Sequence, residues 1–181
     1  MKHIDMTNIT EATDFKRPDA GAYICKITAV EDVADKEYLK VSYDIAQGEF
    51  ANYYTEMREN HPDWAWAGAY VKSYKSTALP IFKRFCSAVS KSNGNYVFDA
   101  GNVNADEQTL IGKQIGLVLQ EEEYYSNSGD KRTRLIVNKE FPIDKLANQK
   151  TPEPKRLQEP ATTFDFTSLD VAPGVDEQVP F

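Results

Sequence analysis

The chain has 181 residues, 41% of them hydrophobic and 12% aromatic, with a formal net charge of -7. That composition supports one packed domain with length to spare and excludes a wholly disordered chain, while the acidic balance speaks against a histone-like polycation but not against a local basic groove. No apolar run is long enough for a membrane span and the N-terminal residues lack the apolar core of a secretory signal, so the expected location is the cytoplasm.

Residues 1–18 read as a polar lead-in ending at Arg17-Pro18-Asp19. From Gly21, Tyr23, Cys25, Ile27 and Ala29 fall on one face at period two, which is the pattern of a half-buried strand. After a charged turn, Leu39, Val41, Tyr43 and Ile45 alternate with Lys40, Ser42 and Asp44, giving a second strand. Phe50 to Met57 reads as a third, and the three form an antiparallel meander. Glu59 to Lys75 is neither cleanly helical nor alternating and reads as an excursion from the sheet.

The clearest element follows. Leu79, Phe82, Phe85, Cys86 and Val89 recur at spacings of three and four, the stripe of an amphipathic helix. Thr77 is placed to cap it, Pro80 suits its first turn, and Ser92-Asn93-Gly94-Asn95 ends it. Tyr96 to Phe98 reads as a short strand or an extended loop. Leu110 to Tyr125 gives a strong strand, Ser126 to Asp130 a hairpin tip, and Lys131 to Val137 the returning partner. Beyond Arg156 there is no Lys or Arg, and Glu159, Asp165, Asp170, Asp176 and Glu177 make the end acidic. The expected division is a lead-in over 1–18, a domain over 19–148 and a disordered acidic tail over 149–181.

Catalytic signatures are missing: there is no phosphate-binding Gly-rich loop with a following Lys, no nucleophile elbow and no metal-binding His pair. Cys25 and Cys86 sit in apolar-periodic stretches and read as buried reduced thiols, and His3 and His61 stand apart from them. Glu121, Glu122 and Glu123 are adjacent on a strand and alternate between its faces, so they do not converge on one ion. An enzyme is disfavoured, and no metal or cofactor is expected.

Short strands with one helix between the third and fourth suggest a mainly β fold, a five-stranded oligonucleotide-binding (OB-like) barrel. Such barrels hold single strands by stacking bases on aromatic rings and lining the backbone with cations. Candidate stacking residues are Trp64, Trp66, Tyr70 and Tyr74. Candidate phosphate contacts are Lys40, Lys72, Lys75, Lys131, Arg132 and Arg134. Two alternatives stay open at this point. The aromatics serve either the core or a ligand, and the hairpin cations either bind phosphate or offset Glu121, Glu122 and Glu123 across the hairpin.

The end of the chain, Asp176-Glu177-Gln178-Val179-Pro180-Phe181, resembles the tail tip of bacterial single-stranded DNA-binding proteins, with Gln178 where a third acid is common. The resemblance implies that Phe181 enters an apolar pocket on partner proteins, with Val179 and Pro180 shaping the tip and Asp176 and Glu177 meeting basic rims. The domain resembles phage-encoded single-stranded DNA-binding proteins of low-GC Gram-positive hosts. That likeness lies in Leu39 to Ile45, Ser73 to Phe85, and Leu110 through Tyr124 to Arg134. It implies a non-sequence-specific single-stranded DNA binder in phage replication, recombination or repair, acting in the host cytoplasm and recruiting partner enzymes through its tail. The second reading is a protein-interaction adaptor that does not touch DNA. A homo-oligomer is compatible with both.

Overall fold

Alternation alone sets the first two strands. The computed structural model, which describes residues 5, 7 and 16–157, places β1 at Gly21–Val33 and β2 at Tyr38–Ile45. Leu39, Val41, Tyr43 and Ile45 are buried on one face of β2, and Lys40 is exposed on the other. The strands pair antiparallel, with an irregularity between Ile27 and Ala29 where β1 is free to bend.

The strand expected over Phe50–Met57 is not formed. Tyr53–Asn60 is a helix, α1. Its first turn is fixed from β2, because the buried Asp44 carboxylate accepts the backbone N–H groups of Ile45, Tyr54 and Thr55 at 2.8–2.9 Å and the Thr55 hydroxyl at 2.6 Å. A helix cannot satisfy its own first N–H groups, and a carboxylate there does so with favourable charge. Tyr54 is thereby held edge-on to Tyr43, with ring centroids 5.4 Å apart.

The third strand lies inside the stretch read as an excursion. It is β3, Ala69–Ser73, antiparallel to β2. Tyr70 faces inward opposite Val41, and Lys72 opposite Leu39, while Val71 points outward. Helix α2, Leu79–Ser92, buries Phe82, Phe85, Cys86 and Val89 as its stripe requires, but Leu79 is half-exposed. Pro80 is in the first turn as expected. Thr77 does not cap: a single 3-10 turn, Ser76–Ala78, runs directly into the helix, and no side chain caps it. At the other end the Asn93 side chain bonds the Val89 carbonyl and both backbone groups of Gln114, tying α2 to the next strand. Tyr96 to Phe98 is an extended loop that buries Phe98. Cys25 and Cys86 are buried free thiols.

The hairpin is β4, Gln114–Tyr125, and β5, Lys131–Phe141. Gly129 at its tip has φ 85°, a conformation that L side chains rarely adopt. Gly116 is required for a different reason: the Phe141 ring opposite occupies the space of a Cβ. A 3-10 segment, Ile143–Asn148, packs back on β1, β4 and α2.

The strands form one five-stranded antiparallel sheet in the order β3-β2-β1-β4-β5. The closed barrel expected from the sequence is not made, because β3 and β5 remain unpaired edges. A cleft of about 390 Å³, lined by residues of both strands, lies between them. Side chains bridge it where backbone does not. Lys72 of β3 forms a buried ion pair with Glu140 of β5, and the second Glu140 oxygen lies 3.8 Å from Arg84 of α2. Residues 152–157, assigned to the tail by composition, lie against the sheet: Lys155 donates its N–H to the Glu121 carbonyl at 2.8 Å, and Glu123 donates to the Lys155 carbonyl at 2.9 Å. Among the described residues no helix is long and apolar enough to cross a membrane.

Candidate nucleic-acid interface

The outer half of the β4–β5 hairpin projects beyond the core as an arm. Strand alternation sends its three consecutive glutamates to different partners. Glu122 receives Nε and Nη2 of Arg134 at 2.8 and 2.7 Å on one oxygen and Lys155 Nζ on the other. On the opposite face Glu121 meets Arg17 at 3.3 Å, and Glu123 meets Lys131 at 3.1 Å and Arg156 at 3.3 Å. At the tip Arg132 lies 3.5 Å from Asp130. Hydrogen bonds from Lys155 and Arg134 hold the Glu122 carboxyl below its usual range, and bonds from Lys131 and the Leu157 N–H do the same for Glu123.

Layering gives this network its sign. The Glu122 and Glu123 side chains are only 12% and 9% exposed, whereas the six cations keep 47–72% of their surface in water. Four carboxylates therefore face six cations, and the two most buried carboxylates lie beneath the positive groups. The arm of an acidic chain thus presents a positive outer surface. Aromatic surface accompanies it: the Arg134 guanidinium stands 4.9 Å over the Tyr124 ring, and Tyr125 is 60% exposed. The hairpin cations do offset the glutamates, as one of the two sequence readings has it, yet they are not consumed by them. The Arg17–Glu121 and Arg132–Asp130 pairs are exposed on both sides, and pairs of that kind contribute only about 0.2–1 kcal/mol each, so those two cations exchange a carboxylate for an incoming phosphate at little cost. The cations over Glu122 and Glu123 meet phosphate with their outward, solvent-facing N–H groups while keeping their carboxylates.

The other candidates are scattered. Trp64 is half-exposed on the α1–β3 connection, with its ring stacked on His61 at 3.9 Å and its carbonyl held by Arg58. Trp66 packs against the core and donates its indole N–H to the Gly68 carbonyl at 2.9 Å. Tyr70 packs on the core edge-on to Tyr43, and burial drives its hydroxyl pKa well upward. Tyr74 packs against Phe82 and donates its hydroxyl to Asp32 at 2.7 Å, a bond that pushes its pKa up to about 12. Lys72 is sealed in the β3–β5 cleft. Lys40 is exposed, 3.8 Å from Glu31, and Lys75 is exposed just past β3. Asp176, Glu177, Val179, Pro180 and Phe181 lie outside the described residues.

Of the ten predicted DNA contacts, Lys131, Arg132 and Arg134 are brought together on the arm, while Tyr70 and Lys72 meet each other inside the β3–β5 cleft that Arg134 also lines. Sequence reasoning missed Arg17, Lys155 and Arg156, which reach the arm from both ends of the domain. Their local sequence carries no signal beyond charge. No protein-family model matches the chain, and no curated protein shows significant similarity to it.

Proposed function

We propose that this protein binds single-stranded DNA without sequence specificity through a partly open OB-like barrel, with the β4–β5 arm as its principal phosphate-binding element. The observation that carries the reading is the layer of six exposed cations over buried carboxylates, set beside Tyr124 and Tyr125. The sheet order and the helix between β3 and β4 support the barrel assignment, and OB folds use the loop joining their last two strands in ligand binding. Flat rings suit unpaired bases, because every base offers a π face and the interaction is sequence-tolerant. Tyr125 is the exposed ring of the arm, Tyr124 is half-buried, and Trp64 supplies a second exposed ring.

Burial removes Lys72 and the hydroxyl side of Tyr70 from this surface, so the stacking set shifts from the α1–β3 connection toward the arm. Service in phage replication, recombination or repair, with the C-terminal tip recruiting partner proteins, is the role that the sequence resemblance suggests for such a binder. Titration of fluorescent oligo-dT with the full chain, beside a duplex of equal length, tests the core statement. Single-strand preference with strong salt dependence is expected. Equal affinity for both, or affinity independent of salt as for a pure protein adaptor, contradicts it.

A further inference from the structure

A second concavity lies between α2 and the 97–107 loop, with a volume of about 710 Å³. Its floor is apolar, from Leu39, Phe82, Cys86 and Phe98, all of them buried side chains of the core. Its walls are apolar and wet: Leu79 is 49% exposed and Val97 is 73% exposed. Isolated exposed apolar residues are ordinary, but several lining one groove mark a place where burial is still to be gained. The charged groups around it are one-sided. Asp32, Asp99 and Glu107 line the groove against a single cation, Lys83. The Tyr74 hydroxyl bond fixes the Asp32 carboxylate at one end, and the Gly101 N–H fixes Asp99 at 3.0 Å.

We propose that this groove docks an apolar segment of a partner protein flanked by lysine or arginine. Charge complementarity selects the occupant. Nucleic acid is repelled by the carboxylates. The chain's own undescribed ends have the wrong sign: residues 158–181 carry five acidic side chains and no Lys or Arg, and the first fifteen residues carry Asp5, Glu11 and Asp14 against Lys2. A basic apolar segment fills the groove and meets the carboxylates. The site goes beyond the DNA-binding reading, since it is built from different elements and has the opposite charge to the arm.

The test is an NMR titration of the isotope-labelled full chain with three short synthetic peptides: an amphipathic one of leucine and lysine, its counterpart with glutamate in place of lysine, and an all-lysine control. The leucine–lysine peptide is expected to move the signals of Leu79, Cys86, Val97 and Ala105. It should bind at least about tenfold more tightly than either control. Leu79→Arg and Val97→Arg, both at wet positions, should each weaken that binding about tenfold and leave oligo-dT binding unchanged. The proposal is overturned if shifts spread over the acidic surface at large, if both arginine variants bind as the parent does, or if concentration-dependent self-association occupies the groove instead. Because the readout is peptide binding, its failure leaves the DNA-binding reading standing, and the converse holds as well.

Discussion

Replacing Lys72 with Met probes the seam between β3 and β5. The Lys72 and Glu140 side chains are 9% and 2% exposed, and their ion pair joins two strands that share no backbone hydrogen bonds in the sheet. Met preserves the length and apolar stem of Lys72 and removes only the charge. Glu140 is then left buried, with Arg84 at 3.8 Å as its remaining cation. Breaking a buried pair from one side typically costs about 3–5 kcal/mol, and the surviving Arg84 places this case near the lower end, at about 3 kcal/mol. For a domain of this size that corresponds to a fall in Tm of about 10 °C. Urea unfolding followed by Trp fluorescence measures it. The double variant Lys72→Met with Glu140→Leu should recover most of the loss, because an apolar pair needs no desolvated charge to be compensated. A loss below about 1 kcal/mol in the single variant, or no recovery in the double one, would refute the claim that this pair holds the seam.

Asp44→Ala removes three hydrogen bonds at the start of α1 and one to the Ile45 N–H of β2, and is expected to destabilise by about 2–3 kcal/mol, with α1 losing amide protection first in hydrogen exchange. Gly116→Ala forces the Phe141 ring to move and should lower Tm more than the same change at Gly21, where an added Cβ meets only the Tyr23 ring at 3.8 Å. Glu122 and Glu123 have depressed folded pKa values, so their contribution is fully present above the unfolded glutamate range and is lost as pH falls through the folded values. Amide protection at Glu123 and Lys155 should therefore persist at neutral pH and fade below about pH 4.3; unchanged protection in stronger acid would contradict the role given to these ion pairs.

Most of the sheet was legible because its signals are local. Alternation survives in β2 and in β1 as far as Ile27, beyond which the irregularity turns Val30 inward and leaves Ala29 exposed. β4 is a strand but a continuously buried one over residues 115–119, and the three-four spacing of Phe82, Phe85, Cys86 and Val89 also survives. The third strand was misplaced for a physical reason. Phe50 to Met57 is rich in residues that favour strands, but Asp44, earlier in the chain, supplies the N-terminal donors' acceptor and commits the segment to helix. β3 was hidden because Lys72 points inward, which reads as a break in the apolar face until its distant partner Glu140 is known. The binding surface was less legible still. Lys131, Arg132 and Arg134 stand out by charge, but whether glutamates silence them depends on depth, and depth is set by Arg17, Lys155 and Arg156 arriving from remote parts of the chain.

The salt dependence of oligo-dT affinity, in the parent and in a variant with Lys131, Arg132 and Arg134 all changed to Ala, probes the nucleic-acid reading most directly. Each phosphate neutralised on a single strand contributes about 0.7 to the slope of log affinity against log salt. The account predicts a steep slope for the parent and one shallower by about 2 for the variant, with weaker binding by a chain that still folds, its Tm lowered by the loss of the Glu122 and Glu123 partners. A flat slope in the parent, or identical slopes in both proteins, would contradict it.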